Sequence, residues 1–233
     1  MRALRVAIVG AGGRMGRFAR ELLAGRDEFE VAASVGRGDD LRAALRAAAP
    51  DVALDLTAAG LGARHGRAML ECGVRCVIGT SGVQPREACE LDALARELGL
   101  GGLIVPNFSL GIWLQQRLAL EAARYLSSVE ILEEHHIGKK DAPSGTAAHT
   151  ARLLGEALGR PAEAIPIHSV RLAGLYSNQS VMFGGAGEVL TLTHRTYGNA
   201  AFGPGILASL RYARSAEGVE VGIGVAFQSR ARE

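Results

Sequence analysis

Leu4-Arg5-Val6-Ala7-Ile8-Val9-Gly10-Ala11-Gly12-Gly13-Arg14-Met15-Gly16-Arg17 is an apolar run that ends in a glycine turn and passes directly into a helix, Phe18 to Ala24. Branched apolar residues in an unbroken run read as a strand buried on both faces of a parallel sheet. Strand, glycine turn and helix, in that order, is the context a dinucleotide-binding fingerprint requires. The spacing supplies Gly10, Gly13 and Gly16, with Gly12 in addition, and is not a strict G-x-G-x-x-G. Without Cβ atoms the backbone can approach a pyrophosphate seated on the helix N-terminus. The same glycines also suit a tight strand–helix turn with no ligand.

Outward from this turn the pattern repeats. Phe29–Val35 is a second strand, and its end is where an acidic residue would hold a ribose 2′-OH. Here Gly36-Arg37-Gly38 stands at that point and Asp39-Asp40 follow only later, which suits a 2′-phosphate better. Helices over 41–49, 63–72 and 87–98 alternate with strands over 51–56, 74–78 and 102–105. Such alternation predicts an α/β fold with a Rossmann-like, doubly wound parallel sheet and right-handed crossovers. Ligands of such sheets bind beyond the carboxyl ends of the strands. Thr57, Gly79-Thr80-Ser81 and Pro106-Asn107-Phe108 lie on that edge, where each also suits plain turn chemistry.

After Gly111 the character changes. A helix over 112–126 leads to strands over 129–137, 165–172, 180–183 and 188–194, with a helix over 146–158 between the first two. Strands with few helices between them predict a mixed or antiparallel sheet, hence a smaller α+β domain. A helix over 206–214 follows, and the alternating run 219–225 is read as returning to the first domain. The expected division is 1–108 with 204–233 for the dinucleotide domain and 109–203 for the second domain. Asn107–Gly111 and Gly203–Gly205 are the expected hinges.

Within the second domain one stretch concentrates chemistry: Glu134-His135-His136-Ile137-Gly138-Lys139-Lys140-Asp141-Ala142-Pro143-Ser144-Gly145-Thr146. A strand breaks at Gly138 and again at Pro143, and a helix begins near Ser144 or Thr146, either of which is a natural N-cap. Free N–H groups and the positive end of the helix dipole favour an anion there. One of two lysines adds a full charge, and the imidazoles can carry a proton near neutral pH. Adjacent histidines on a strand face opposite ways, so one of them can be structural, and a Lys-Lys pair in a loop is commonly solvated surface. Together the residues read as a place that binds a small carboxylate and protonates it.

Composition bounds the rest. The chain has 233 residues, 48% hydrophobic and 21% charged, and a net charge of +2. That charge is too mild to call for nucleic acid, and no basic run or aromatic platform supports it. Three cysteines, Cys72, Cys76 and Cys89, and no secretory signal point to reduced thiols and the cytoplasm. No apolar run approaches the roughly 18 residues a membrane span needs. The six histidines show no metal-ligand spacing, so no metal is expected.

Taken in order, the blocks Gly10–Arg17, Asp55-Leu56-Thr57, Gly79-Thr80-Ser81-Gly82, Asn107-Phe108-Ser109, His135–Thr146 and Glu188–Phe202 resemble the 4-hydroxy-tetrahydrodipicolinate reductase (dihydrodipicolinate reductase) family of the diaminopimelate route to lysine. The Asp-Ala-Pro-Ser-Gly-Thr run after His-His-x-x-Lys carries most of the specificity. The resemblance implies reduction of a small dicarboxylate by NADPH or NADH in a cytoplasmic homotetramer built through the second domain's sheet. It implies His135 as general acid or water-mediated proton donor, and Lys139, by spacing, as the second donor in place of Lys140. His136, Ser144, Gly145 and Thr146 are implied as substrate carboxylate ligands. Gly10, Ala11, Gly12, Gly13, Arg14, Met15, Gly79, Thr80, Ser81, Pro106, Asn107 and Phe108 are implied as cofactor contacts; Arg37 is added by the residue pattern alone, where it also suits a side chain that simply faces solvent. Two departures stand out: Asn199 replaces a usual Arg, and Tyr176-Ser177-Asn178-Gln179 lacks the common Gly-Asp-His. The other readings are an imine or amino-acid dehydrogenase on the same scaffold, and a non-catalytic nucleotide-binding regulator, which would have no need of Lys139 beside Ser144-Gly145-Thr146.

Overall fold

The computed structural model describes residues 2–228. The chain forms two compact units, Met1–Phe108 with Phe202–Glu233, and Ser109–Ala201. In the first, β1 (Leu4–Val9), α1 (Arg14–Ala24), β2 (Phe29–Val35), α2 (Leu41–Ala48), β3 (Val52–Asp55), α3 (Gly62–Glu71), β4 (Arg75–Ile78), α4 (Pro85–Glu97) and β5 (Gly101–Ile104) alternate without exception. The second holds α5 (Leu110–Ala123), β6 (Ser128–His135), α6 (Gly145–Leu158), β7 (Ile167–Arg171), β8 (Ser177–Gly185) and β9 (Glu188–His194). The chain then returns to the first through α7 (Gly203–Ala213), β10 (Gly218–Val221) and α8 (Gly224–Gln228).

The first sheet runs β10-β5-β4-β3-β1-β2, and every pair is parallel. β3 and β5 are buried along their whole length and β1 nearly so, as strands covered by helices on both faces must be. The strand order reverses at β1, which lies between β2 and β3, and such a reversal opens a crevice at the carboxyl edge. Val9, Leu45, Ala53, Met69, Ile78, Leu91 and Ile104 belong to one core cluster of this unit. Local signals agree with the packing: Asp40 caps α2 by accepting from Ala43 N at 3.0 Å, and Gln84 with Glu87 forms a capping box ahead of Pro85.

The second sheet, β7-β6-β8-β9, is mixed: β6 runs parallel to β7 and antiparallel to β8, and β9 antiparallel to β8. Ala119 and Ala123 of α5 and Ala147, Ala151 and Leu154 of α6 share a core with Val129, Ile131, Val181 and Phe183. β6 alternates strictly, so Val129, Ile131, Glu133 and His135 all lie on the buried face. Two ionisable residues therefore continue an apolar row.

Several sequence expectations need correction. The strand expected over 165–172 begins only at Ile167, because Pro166 has no N–H for the ladder and a 3-10 turn, Ala162–Ala164, precedes it. The strand expected over 180–183 runs from Ser177 to Gly185; Ser177, Asn178 and Gln179 pair with His135, Glu134 and Glu133, and polar side chains hid that extension. The run 219–225 stops as a strand at Val221, since Gly222 at φ 102° turns the chain into α8. Gly203 and Gly205 form the first turn of α7, just past the Ala201–Phe202 boundary between the units. A Cβ on Gly205 would collide with the Phe108 carbonyl, so that glycine serves close packing.

Candidate active site

At the carboxyl edge of the parallel sheet, the four glycines of the first turn divide into two kinds. Gly10 holds φ +85°, and a Cβ there would sit 2.7 Å from the Leu56 carbonyl oxygen. A Cβ on Gly16 would strike Gly10 and Ala11. Both are demanded by the fold. Gly12 is exposed with nothing within 4 Å of its missing Cβ, and Gly13 meets only the Gly10 oxygen at 3.3 Å. Gly13 is the N-cap of α1 and offers no capping side chain, and the first N–H groups of a helix have no carbonyl within the helix to bond. An open glycine above an uncapped helix start fits a pyrophosphate.

The neighbouring turns are tied to each other. Asp55 is fully buried; its Oδ1 accepts from Thr57 N at 3.0 Å and from Thr57 Oγ1 at 2.6 Å, and His65 Nδ1 lies 3.4 Å from its Oδ2. Thr80 is 4% exposed and its hydroxyl accepts from Thr57 N at 3.1 Å, so that side chain faces inward. The Phe108 ring is buried against Gly79, where a Cβ would lie 2.8 Å from ring atom Cζ. Ser81, Pro106 and Asn107 remain accessible on the same edge. Arg37 is exposed beside Gly36, while Asp39 accepts from Gly36 N at 2.7 Å and Asp40 caps α2. Both acids are thereby held by backbone, which leaves the guanidinium as the charged group at the end of β2.

The second unit gathers side chains. Glu133 is 0% exposed, and each of its oxygens takes at least two donors. Arg171 Nη2 and Ser144 N donate to Oε1 at 2.8 and 3.3 Å; Arg171 Nη1, at 3.0 Å, and His135 Nδ1 meet Oε2. Burial alone would push this carboxyl up, but hydrogen bonds from Arg171, Ser169 and His135 outweigh it and hold Glu133 below the usual glutamate range. Burial depresses His135, against the opposing pull of Glu133, and the nearby charges of Lys139 and Arg171 push the same way as burial. His135 Nε2 faces Ser177 Oγ at 3.1 Å.

Around this centre the loop closes back on itself. Lys139 N donates to His136 O at 3.0 Å, and Lys139 Nζ lies 2.7 Å from both oxygens of Asp141, which is held below the usual aspartate range chiefly by that bond. Lys140 is exposed. Arg171 Nη2 also donates to Asp141 O at 2.7 Å. Ser144 caps α6 by accepting from Ala147 N at 3.2 Å, so of the two candidate caps Ser144 is the one used; Gly145 is exposed and Thr146 half-buried in the first turn. Asn199 accepts from the Tyr176 hydroxyl. Gln179 is buried and bonds Gln115 at 2.9 Å and Thr150 at 3.1 Å, bracing β8 against α5 and α6. His194 Nε2 lies 3.2 Å from Ser109 Oγ.

His135, Arg171 and the helix start at Ser144 thus lie around the Glu133 carboxylate, while Lys139 pairs with Asp141 on the loop beside them. Sequence reading missed Glu133, Arg171, Asp141 and Ser177. A signal existed for Glu133, which lies two residues before His135 and so on the same strand face. Arg171 and Ser177 reach the site through the register of β7 and β8 with β6, and no local pattern announces that.

A parallel dinucleotide-type sheet in one unit and the Glu133–His135–Arg171 cluster in the other define the class, an oxidoreductase that uses a nicotinamide nucleotide. The family model for the N-terminus of dihydrodipicolinate reductase matches residues 4–108, and that for its C-terminus matches 111–223. The chain belongs to the dihydrodipicolinate reductase family. It is 39% identical over 222 residues to the 4-hydroxy-tetrahydrodipicolinate reductase of Coxiella burnetii (strain RSA 493 / Nine Mile phase I), covering 90% of this chain and 93% of that one. It is 39% identical over 220 residues to the enzyme of the same name from Legionella pneumophila (strain Lens), covering 87% and 90%. A solved structure, dipicolinate-bound dihydrodipicolinate reductase from Paenisporosarcina sp. TG-14, superposes with a TM-score of 0.81 at 32% identity, covering 95% of this chain and 98% of that one. An amine dehydrogenase from Mycobacterium smegmatis, at 14% identity and a TM-score of 0.65, shares the fold.

Proposed function

We propose that this chain reduces 4-hydroxy-tetrahydrodipicolinate to tetrahydrodipicolinate with NADPH or NADH, in the diaminopimelate route to lysine. Substrate, NAD(P)H and one proton give product, NAD(P)+ and water. The observation that carries this reading is the cluster on β6: a buried, fully bonded Glu133 holds His135 beside the start of α6 and the Lys139 loop.

Gly10, Ala11, Gly12, Gly13, Arg14 and Met15 would hold the pyrophosphate, with Gly79–Ser81 and Pro106–Phe108 lining the rest of the edge. When bound, the cofactor supplies a hydride from its nicotinamide ring. Gly145 and Thr146 N–H groups, the Ser144 cap and His136 bind the substrate carboxylates. Lys139 is held by Asp141 until a substrate carboxylate competes for it. Loss of the substrate hydroxyl as water consumes the one proton, which Lys139 donates. The ring carbon beside the hydride acceptor gives up a proton in that step and regains one afterwards, and His135 handles it.

Arg37 gives NADPH at least parity with NADH. One exposed guanidinium contributes only about 1 kcal/mol, so dual use is expected. Arg37→Ala should shift the ratio of kcat/KM toward NADH; an unchanged ratio removes Arg37 from cofactor choice. The homotetramer would form through the second unit's sheet, where Val189 and Leu190 of β9 are 70% and 40% exposed. Free Cys72, Cys76 and Cys89 suit a reducing cytoplasm. The decisive experiment is NAD(P)H oxidation by purified protein with freshly made 4-hydroxy-tetrahydrodipicolinate. Turnover that depends on that substrate is expected; none, with the folded protein binding NADPH, would refute the assignment.

A further inference from the structure

His135 is bonded on both sides, and the two partners differ in kind. Glu133, as a carboxylate, only accepts, so His135 Nδ1 must be the nitrogen that carries hydrogen. Arg171 occupies both Glu133 oxygens and Ser144 N one of them, so the carboxylate cannot swing away. A neutral His135 then presents a bare Nε2, and the group 3.1 Å from it is the Ser177 hydroxyl. Ser177 stands opposite His135 in the antiparallel β6–β8 ladder, so backbone register holds it there. Unlike His135 and Glu133, Ser177 is only partly buried.

We propose that Ser177 is the hydroxyl through which protons pass between His135 and the substrate, and that Glu133, clamped by Arg171, is the positioning residue that sets His135 for this relay. The inference rests on the reductase reading and adds its proton path. In the outward step the ring C–H bond breaks, its proton goes to Ser177 Oγ, and the Ser177 proton goes to His135 Nε2. The C–H electron pair forms the ring double bond as the hydroxyl leaves. The imidazolium so formed lies against the Glu133 carboxylate. After hydride addition, the enamine electron pair takes the proton back along the same path. The hydroxyl and the neutral imidazole are both regenerated, and no further donor is required.

The charged groups facing His135 are Glu133 on its own strand, Arg171 on β7, and Lys139 with its partner Asp141 from the loop. A relay that starts from neutral His135 fails on acidification, so kcat/KM should fall as pH drops through the free-enzyme imidazole pKa. That limb should be missing in His135→Ala.

The test combines kinetics with 15N NMR of the His135 ring in the full-length protein. Wild type should show the Nδ1–H form. In Glu133→Gln, Arg171 keeps the amide oxygen and the amide NH2 faces Nδ1, so the ring should switch to the Nε2–H form. Ser177→Ala should lose about 10²-fold in kcat with NADPH affinity kept, and Ser177→Thr should recover most of it. A Ser177→Ala enzyme with wild-type kcat and pH profile would overturn the relay. An Nε2–H ring in wild type, or no change in Glu133→Gln, would overturn the positioning role. The ring readout needs no substrate, so a failed substrate assignment shows as absent turnover with the tautomer intact.

Discussion

The candidate sites of the two units are built by opposite means. In the first, the site is backbone: open glycine at Gly12, an uncapped helix start at Gly13, and turns whose side chains point inward, such as Thr80 and Phe108. In the second it is side chain: a buried carboxylate, the His135 imidazole, a guanidinium and an ammonium, each held by another side chain. A backbone site is a property of chain path and costs little to fold. A side-chain site places charge where the core row of β6 would otherwise be apolar. Substitutions should therefore separate the units sharply.

The largest effect is expected at Glu133. Glu133→Ala strands Arg171 and His135 without their carboxylate, and breaking a buried pair from one side costs about 3–5 kcal/mol. Urea denaturation monitored for the second unit should show that loss, and a change within about 0.5 kcal/mol would mean the pair is solvated and the contrast unfounded. Next comes Lys139. Lys139→Ala should lose at least about a hundredfold in kcat with NADPH affinity kept, whereas Lys140→Ala stays within a few-fold of wild type. Steady-state kinetics on the two variants decides it; a crippled Lys140→Ala would put the loop register off by one.

Smaller effects divide the glycines of the first unit. Gly10→Ala forces a Cβ against the Leu56 carbonyl at a positive φ and should destabilise by about 1–3 kcal/mol. Gly12→Val, with open space around it, should leave the melting temperature within a few degrees and weaken NADPH binding. Calorimetry and a cofactor titration on both variants sharpen the comparison, and equal loss of stability in the two would erase it. The smallest effect is a difference in acid response. Burial depresses His135, His149 and His194, all in the second unit, so the unfolded chain binds their protons first. Their neutral-form stability is present above the ordinary histidine value of about 6.5 and is lost as pH falls from there through the lower folded values. Glu133 and Asp141 add a second loss below the ordinary carboxylate range. Once the slower intrinsic exchange at low pH is divided out, amide protection factors of the second unit should be smaller near pH 5.5 than at pH 7.5, while those of the first unit should not; uniform behaviour would speak against this reading.

This division also explains what was legible in the sequence. The first unit's fold and its glycine turn could be read because strand, turn and helix are local and their signals sit side by side from Leu4 to Ala24. In the second, the strand ending at His135, the break after it and the helix start at Ser144 were legible. Its organising residue was not. Glu133 looks like one more charged residue between Leu132 and Glu134 until strand period places it beneath His135, and Arg171 arrives from 38 residues away through β6–β7 pairing. The polar start of β8 hid for the same reason: Ser177 to Gln179 are strand residues because of what they pair with.

The Glu133–Arg171 clamp has a consequence for how this chain can vary over generations. Loss of either residue leaves the other charged and enclosed, so the first of any two exchanges passes through a poorly folded intermediate. A lineage can drift at Lys140 or along β9 one step at a time, but it can leave the clamp only by changing both positions together. The pair acts as a historical lock, holding the surroundings of His135 by the absence of a viable neighbour sequence.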